Sequence, residues 1–394
     1  MTRIAESARE MLAGRLLPFW MALRDEERGG YYGYMNFDHL LDKGAEKGCI
    51  LNSRILWFFS EAAMTLEDRN LIPYARHAYD FLREKCLDGE FGGVYWSLAY
   101  DGKSLDDTKH TYNQAFAIYA LSAYYRLTGE QEAIELAKNI FRMIEERCTD
   151  NGGYLEAFTR DFQPASNEKL SENGVMAERT MNTLLHVFEG YSGLYQAEPN
   201  PETASAMGRI LDIYVKKVYD AEKRRQKVFF DRDYNSLIDL TSYGHDIESS
   251  WLIDWGCGLL KDPVLSEKIA AINSNLADSV LKAAFDGTSL ANECENGTVD
   301  AHRVWWVQAE ALLGFVNAFS KHPDRTDYRD AAAALWRYIT EKVEDHRPGG
   351  EWFWRLDAEG NPDTSKPTVE PWKCPYHNGR MCMELIRRNP DVYV

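Results

Sequence analysis

The sequence predicts an all-α protein folded as a closed ring of six inner and six outer helices. Three observations lead there. Apolar residues recur at helical spacing through most of the chain. Segments apolar on one face alternate with segments apolar on every side. A Gly-Gly-aromatic signal returns at steps of roughly 60 residues, the mark of a repeat architecture.

The elements follow in order. Residues 50–64 are nearly apolar all round and read as an inner helix, because a helix apolar on every side is buried on every side. Residues 71–87 carry charge on one face and read as an outer helix. Residues 112–127 are inner again, with Ala115, Phe116, Ile118 and Leu121 at consecutive angles and Gly129 as a stop signal. Residues 130–147 return to the outer pattern, with Ile134, Ala137, Ile140, Phe141 and Ile144 on one face. Residues 305–319 continue the inner series, and Thr180–Tyr191 is a further apolar segment.

The loop signal occurs at Gly29-Gly30-Tyr31-Tyr32, Gly92-Gly93-Val94-Tyr95-Trp96, Gly152-Gly153-Tyr154 and Gly349-Gly350-Glu351-Trp352. Weaker equivalents sit near Lys227-Val228-Phe229-Phe230 and Asp286-Gly287. Six two-helix units close into a ring, with glycines in tight turns and aromatics gathered at one end. An open solenoid also repeats, but with more self-similar units and fewer aromatic loops. The ring is one domain, 1–394, with a central cleft whose mouth is the place for a site.

Composition narrows the function. The 394 residues carry a net charge of −17, from 62 acidic and 45 basic residues. Nucleic acid and anionic membranes need a positive field, so neither is expected as a partner. No run of apolar residues is long enough to span a bilayer, and the N-terminal residues are charged where a secretion signal needs an apolar core. Seven scattered cysteines without a Cys-x-x-Cys pair fit free thiols in a reducing compartment, the cytoplasm. No glycine-rich phosphate loop or serine nucleophile elbow occurs, so no nucleotide cofactor is expected.

The chemistry concentrates in a few places. His377 lies in Pro-Trp-Lys-Cys-Pro-Tyr-His-Asn-Gly-Arg, beside Trp372, Tyr376, Asn378 and Arg380. His245 lies in Ser-Tyr-Gly-His-Asp-Ile-Glu, where Glu248 at i+3 is placed to hold the imidazole tautomer. His186 sits on an apolar segment with Asn182 one turn earlier. Arg54 interrupts an apolar helix, so it faces a polar cleft or pairs with a buried acid such as Glu61 or Glu310. Trp306 and Glu310 are one turn apart, and Trp306 and Trp372 offer faces to a sugar ring or pack in the core. The histidine spacings lack the His-Glu-x-x-His pattern of helix-borne zinc sites, so no metal is expected.

These residues resemble the cellobiose 2-epimerases of the N-acylglucosamine 2-epimerase superfamily. The resemblance runs through Leu-Asn-Ser-Arg-Ile-Leu-Trp-Phe (51–58), Lys-His-Thr-Tyr-Asn-Gln-Ala-Phe-Ala (109–117), the His245 segment, Arg-Val-Trp-Trp-Val-Gln-Ala-Glu (303–310) and the His377 segment. It implies an (α/α)6 barrel with short strands in the loops at the active-site end. It implies reversible inversion at C2 of the reducing-end glucose of β-1,4-linked disaccharides, cellobiose and lactose among them, without cofactor. His245 and His377 would be the acid/base pair, Arg54 would steady the enediolate, and His186 would assist ring opening. Tyr112, Asn182, Glu248, Trp306, Glu310 and Trp372 would contact the disaccharide, and a monomer is expected. The alternatives are an N-acylglucosamine 2-epimerase or aldose–ketose isomerase of the same superfamily, a glycoside hydrolase using Glu248 and Glu310, and a non-catalytic scaffold.

Overall fold

The computed structural model describes residues 2–394. Its six inner helices are Cys49–Leu66, Thr111–Thr128, Met181–Ala197, Tyr243–Leu260, Trp305–Lys321 and His377–Arg388. The first five are buried over nearly their whole length, as their all-round apolar composition requires. The outer helices run over residues 4–22, 72–86, 131–147, 201–218, 263–283 and 326–343. Each inner helix packs on the next, and the sixth packs on the first. The ring therefore closes as an (α/α)6 barrel, with the outer helix of residues 4–22 backing the last inner helix. Gly190 marks one seam: a Cβ there would lie 2.6 Å from the Ala115 carbonyl of the neighbouring inner helix. Among the described residues no helix is long and apolar enough to cross a membrane.

The Gly-Gly signals mark the connections from outer to inner helix, and the structure explains why they recur. In four of the six units the fourth residue of the inner helix reaches back to hold the turn. Asn52 accepts the Tyr31 amide at 2.9 Å, Gln114 accepts the Val94 amide at 2.7 Å, and Gln308 accepts the Leu290 amide at 2.9 Å. Gly93 is at φ 71°, and a Cβ on it would lie 2.6 Å from the Gln114 oxygen, so both conformation and space demand glycine. In the fourth unit Asp246 takes this role towards the Gln226 amide at 3.0 Å, beside a turn whose positive φ belongs to Arg224.

A second repeat lies beneath the first. The base two residues before an inner helix pairs with an aspartate of the same turn. The pairs are Lys47–Asp25 at 2.6 Å, Lys109–Asp88 at 3.0 Å, Arg179–Asp150, and Arg303–Asp286 at 2.7 Å. Lys47 and Lys109 also donate to the carbonyls of Gly29 and Gly92. A buried lysine needs such neutralising partners.

Short strands ring the mouth, and each links one unit to the next. Lys47 pairs with Leu98, Lys109 with Phe158, Thr180 with Phe229, Leu240 with Glu295, and Arg303 with Leu356. A bridge between Met35 and Val369 joins the sixth unit to the first. The helices and the strand pairs thus close the same circle twice.

Candidate active site

The N-terminal ends of the inner helices point to the mouth, where a cavity of about 280 Å³ opens. Arg54, Tyr112, Asn182, His186, His245, Glu248, Trp306, Trp372 and His377 line it together. Nine residues spread from 54 to 377 meet because each lies in the first two turns of an inner helix or just before one.

His377 is the first residue of the sixth inner helix and is buried. Its Nδ1 lies 2.7 Å from Glu310 Oε1 and 3.9 Å from Glu248 Oε1. His245, the third residue of the fourth inner helix, bonds through Nδ1 to the Ser242 hydroxyl at 2.7 Å. Trp306 packs against both rings, with centroids 4.8 Å from His245 and 5.4 Å from His377. Removal from water pushes the His245 imidazole down to about 3, helped by His186 and opposed by Glu310. Burial also lowers His377, and the Arg380 and Arg54 cations lower it further. Both rings rest neutral. With Nδ1 engaged, each has Nε2 left for the cavity.

The expected hold of Glu248 on His245 is not formed. Glu248 turns to Arg380, and Ser242, at the helix start, takes the imidazole instead. Glu310 also departs from expectation, since it does not line the cavity but lies behind His377. There it accepts from His377, from Trp251 Nε1 at 2.9 Å and from Arg380 at 2.8 Å. Burial and the adjacent Glu310 push the Glu248 carboxyl up, against the pull of Arg380. Its Oε2 has no partner in the protein.

Arg54 pairs with neither Glu61 nor Glu310. Glu61 is taken by Arg126 and Arg387 at the far ends of the inner helices. The Arg54 guanidinium instead sits 4.2 Å over Phe116 and 4.7 Å from the Tyr376 ring centroid, donating to the Tyr112 hydroxyl at 2.8 Å. Its Nε–H is buried and unpartnered. A desolvated cation without a carboxylate is primed for an anionic oxygen. Asn182 has an unpartnered Oδ1, and Trp372 packs 5.7 Å from Trp96 and 6.0 Å from Tyr112.

Two residues to which the sequence reading gave no role hold the cavity histidines. Glu189 accepts from His186 Nδ1 at 2.8 Å and from the Tyr376 hydroxyl. Ser242 holds His245. An acid three residues after His186 on an otherwise apolar helix was the available signal for Glu189. Nearer the entrance, Lys169, Glu172, Glu293, Asp300, Trp354 and Arg355 also line the cavity. They lie in connections without periodicity, where no sequence signal sets them apart.

Ligand atoms of Glu248, Glu310 and His377 lie within 4.8 Å of one another, close enough to share a cation. The Arg380 guanidinium already bonds both carboxylates.

The family model for N-acylglucosamine 2-epimerase (GlcNAc 2-epimerase) matches residues 29–378. A cellobiose 2-epimerase of Eubacterium cellulosolvens is 51% identical over 399 residues, covering 97% of this chain and 98% of its own. A crystal structure of a sugar epimerase from a ruminal bacterium has a TM-score of 0.97 at 45% identity, covering 99% of this chain and 100% of its own. The cellobiose 2-epimerase of Bacillus thermoamylovorans B4167 has a TM-score of 0.94 at 41% identity, covering 98% of this chain and 100% of its own. The chain, a carbohydrate epimerase by sequence and by fold, belongs to the N-acylglucosamine 2-epimerase family.

Proposed function

We propose that the protein inverts C2 of the reducing-end glucose of β-1,4-linked disaccharides, converting cellobiose to 4-O-β-D-glucosyl-D-mannose and lactose to epilactose. The observation that carries this reading is the pair of neutral imidazoles, His245 and His377, in one cavity and against one tryptophan. Inversion at a carbon needs a base on each face, and histidine titrates near neutral pH.

The open sugar presents a C1 carbonyl that acidifies the C2 hydrogen. One histidine removes that proton and leaves an enediolate. The other, having taken a proton from solvent, returns it to the opposite face and is neutral again, the first passes the C2 proton to solvent, and the reverse reaction exchanges the roles. The developing negative charge raises the affinity of an adjacent imidazole for its proton, which offsets the burial that keeps both rings neutral at rest. Arg54, a cavity-lining cation without a carboxylate partner, meets the enediolate oxygen. His186 assists ring opening, while Trp306, Trp372, Tyr112, Asn182 and Glu248 hold the disaccharide. A hydrolase needs two carboxyl groups flanking the scissile bond. Glu248 and Glu310 share one nitrogen of Arg380 instead.

Incubation with cellobiose in D₂O, with a chelator present, tests the reading. The expected product is glucosyl-mannose carrying deuterium at C2. Glucose release, or a ketose as main product, defeats it.

A further inference from the structure

Behind the cavity wall, one guanidinium joins three carboxylates from three helices. Arg380 donates through Nη1 to Glu189 Oε1 at 2.5 Å and through Nη2 to Glu310 Oε1 at 2.8 Å and to Glu248. Two of these carboxylates hold a cavity histidine by its Nδ1: Glu189 holds His186 and Glu310 holds His377. All four charged groups are buried. We propose that Glu189, which does not line the cavity, is a positioning residue that fixes the Nδ1–H tautomer of His186 and, through Arg380 and Glu310, ties that histidine to His377.

The chemistry of the partners supports both halves. Glu189 Oε2 receives His186 and the Tyr376 hydroxyl, while Oε1 receives Arg380. An anion that accepts only donors fixes the imidazole with its proton on Nδ1 and its lone pair on Nε2, towards the cavity. Burial alone would raise the Glu189 carboxyl, but Arg380 and the bond from His186 bring it down to about 2, so it stays charged. The link to His377 follows from sharing. Glu310 Oε1 serves Arg380 and His377 together, so its strength as an acceptor for His377 depends on how firmly Arg380 is held elsewhere. Without the Glu189 charge, the guanidinium leans on Glu310 and Glu248 and draws Glu310 away from the imidazole. His245 bonds to Ser242 and stands outside this chain of contacts.

Two-bond ¹H–¹⁵N correlation spectra of histidine-labelled protein test the proposal without substrate, so the outcome stands apart from the epimerase reading on which the role rests. In the native protein His186 should be protonated on Nδ1 and bare on Nε2. In Glu189→Gln, the His186 signals should move towards a tautomer mixture, the His377 Nδ1 signal should shift, and the His245 signals should stay. Turnover of cellobiose should fall about 10- to 100-fold in kcat with KM changed less than about twofold, the cost of losing a charge-assisted bond behind the site. Tyr376→Phe removes one donor from the same oxygen and serves if Glu189→Gln does not fold; it too should shift His186. A native His186 protonated on Nε2, or variant spectra matching the native one, overturns the proposal. Movement of His186 alone overturns the link to His377.

Discussion

His245 and His377 touch the same tryptophan and the same cavity, yet the protein holds them by different means. A carboxylate holds His377 at 2.7 Å, itself gripped by Arg380 and Trp251. A single hydroxyl holds His245 at 2.7 Å. Equal distances conceal unequal bonds: a charge-assisted bond is roughly twice as strong as a neutral one. The His377 side belongs to an ionic network drawn from four inner helices, while the His245 side is settled by residues three apart. Two bases with the same task need not have the same support, and the support decides how each fails.

The bluntest way to break the comparison is to remove the bases. His245→Asn and His377→Asn should each lower kcat for cellobiose by at least about 10²- to 10⁴-fold, the usual worth of a general base, with the circular dichroism spectrum unchanged. Appreciable turnover by either variant ends the two-base reading. Glu310→Gln comes next. It removes the anion behind His377 and should cost about 10- to 100-fold in kcat, while the product stays the C2 epimer. Ser242→Ala should cost only about fivefold, the worth of one neutral hydrogen bond. If the serine variant proves the more damaging, the contrast between the two supports is wrong.

A last comparison uses pH. His245 has an ordinary imidazole value in the unfolded chain and one near 3 in the folded protein. Below pH 6.5 the unfolded chain binds the proton and the folded one does not, so its contribution to stability is full above that pH and falls as pH drops towards 3. The loss is at most about 1.4 kcal/mol per pH unit for each such histidine. His245→Asn should therefore show a shallower fall in Tm between pH 6.5 and 4.5 than the native protein. Parallel curves would mean that this imidazole is not held neutral.

Much of this was legible in the sequence because it rests on periodicity and on local turns. All-round apolar helices and Gly-Gly turns specify the ring, and they place His186, His245 and Arg54 near inner-helix starts. The partners were less legible, and two matched spacings show why. His186 and Glu189 are three apart and pair at 2.8 Å. His245 and Glu248 are also three apart, and do not pair. Spacing decides which side chains share a helix face. Which of them bond is decided by Arg380, a residue more than a hundred positions further on, and by a serine hydroxyl at the helix start. Glu310 shows the same limit, since a residue one turn from Trp306 faces the rear of His377 rather than the cavity. The linking strands escaped in detail because pairs of two or three residues carry no period to read.

The paired base and aspartate at the connections have a consequence for how this enzyme can change over time. The turn is fastened at its start by Asp25, Asp88 or Asp150, and its end by Lys47, Lys109 or Arg179. Chain entering and leaving the connection is thus fixed in place, whatever lies between. The part of that stretch outside the Gly-Gly turn and the linking strand can lengthen, shorten or change composition without disturbing the helix that follows. Lys169 and Glu172, which face the entrance, lie inside such a stretch, between Asp150 and Arg179. New specificity can be tried there while the chemistry below stays untouched.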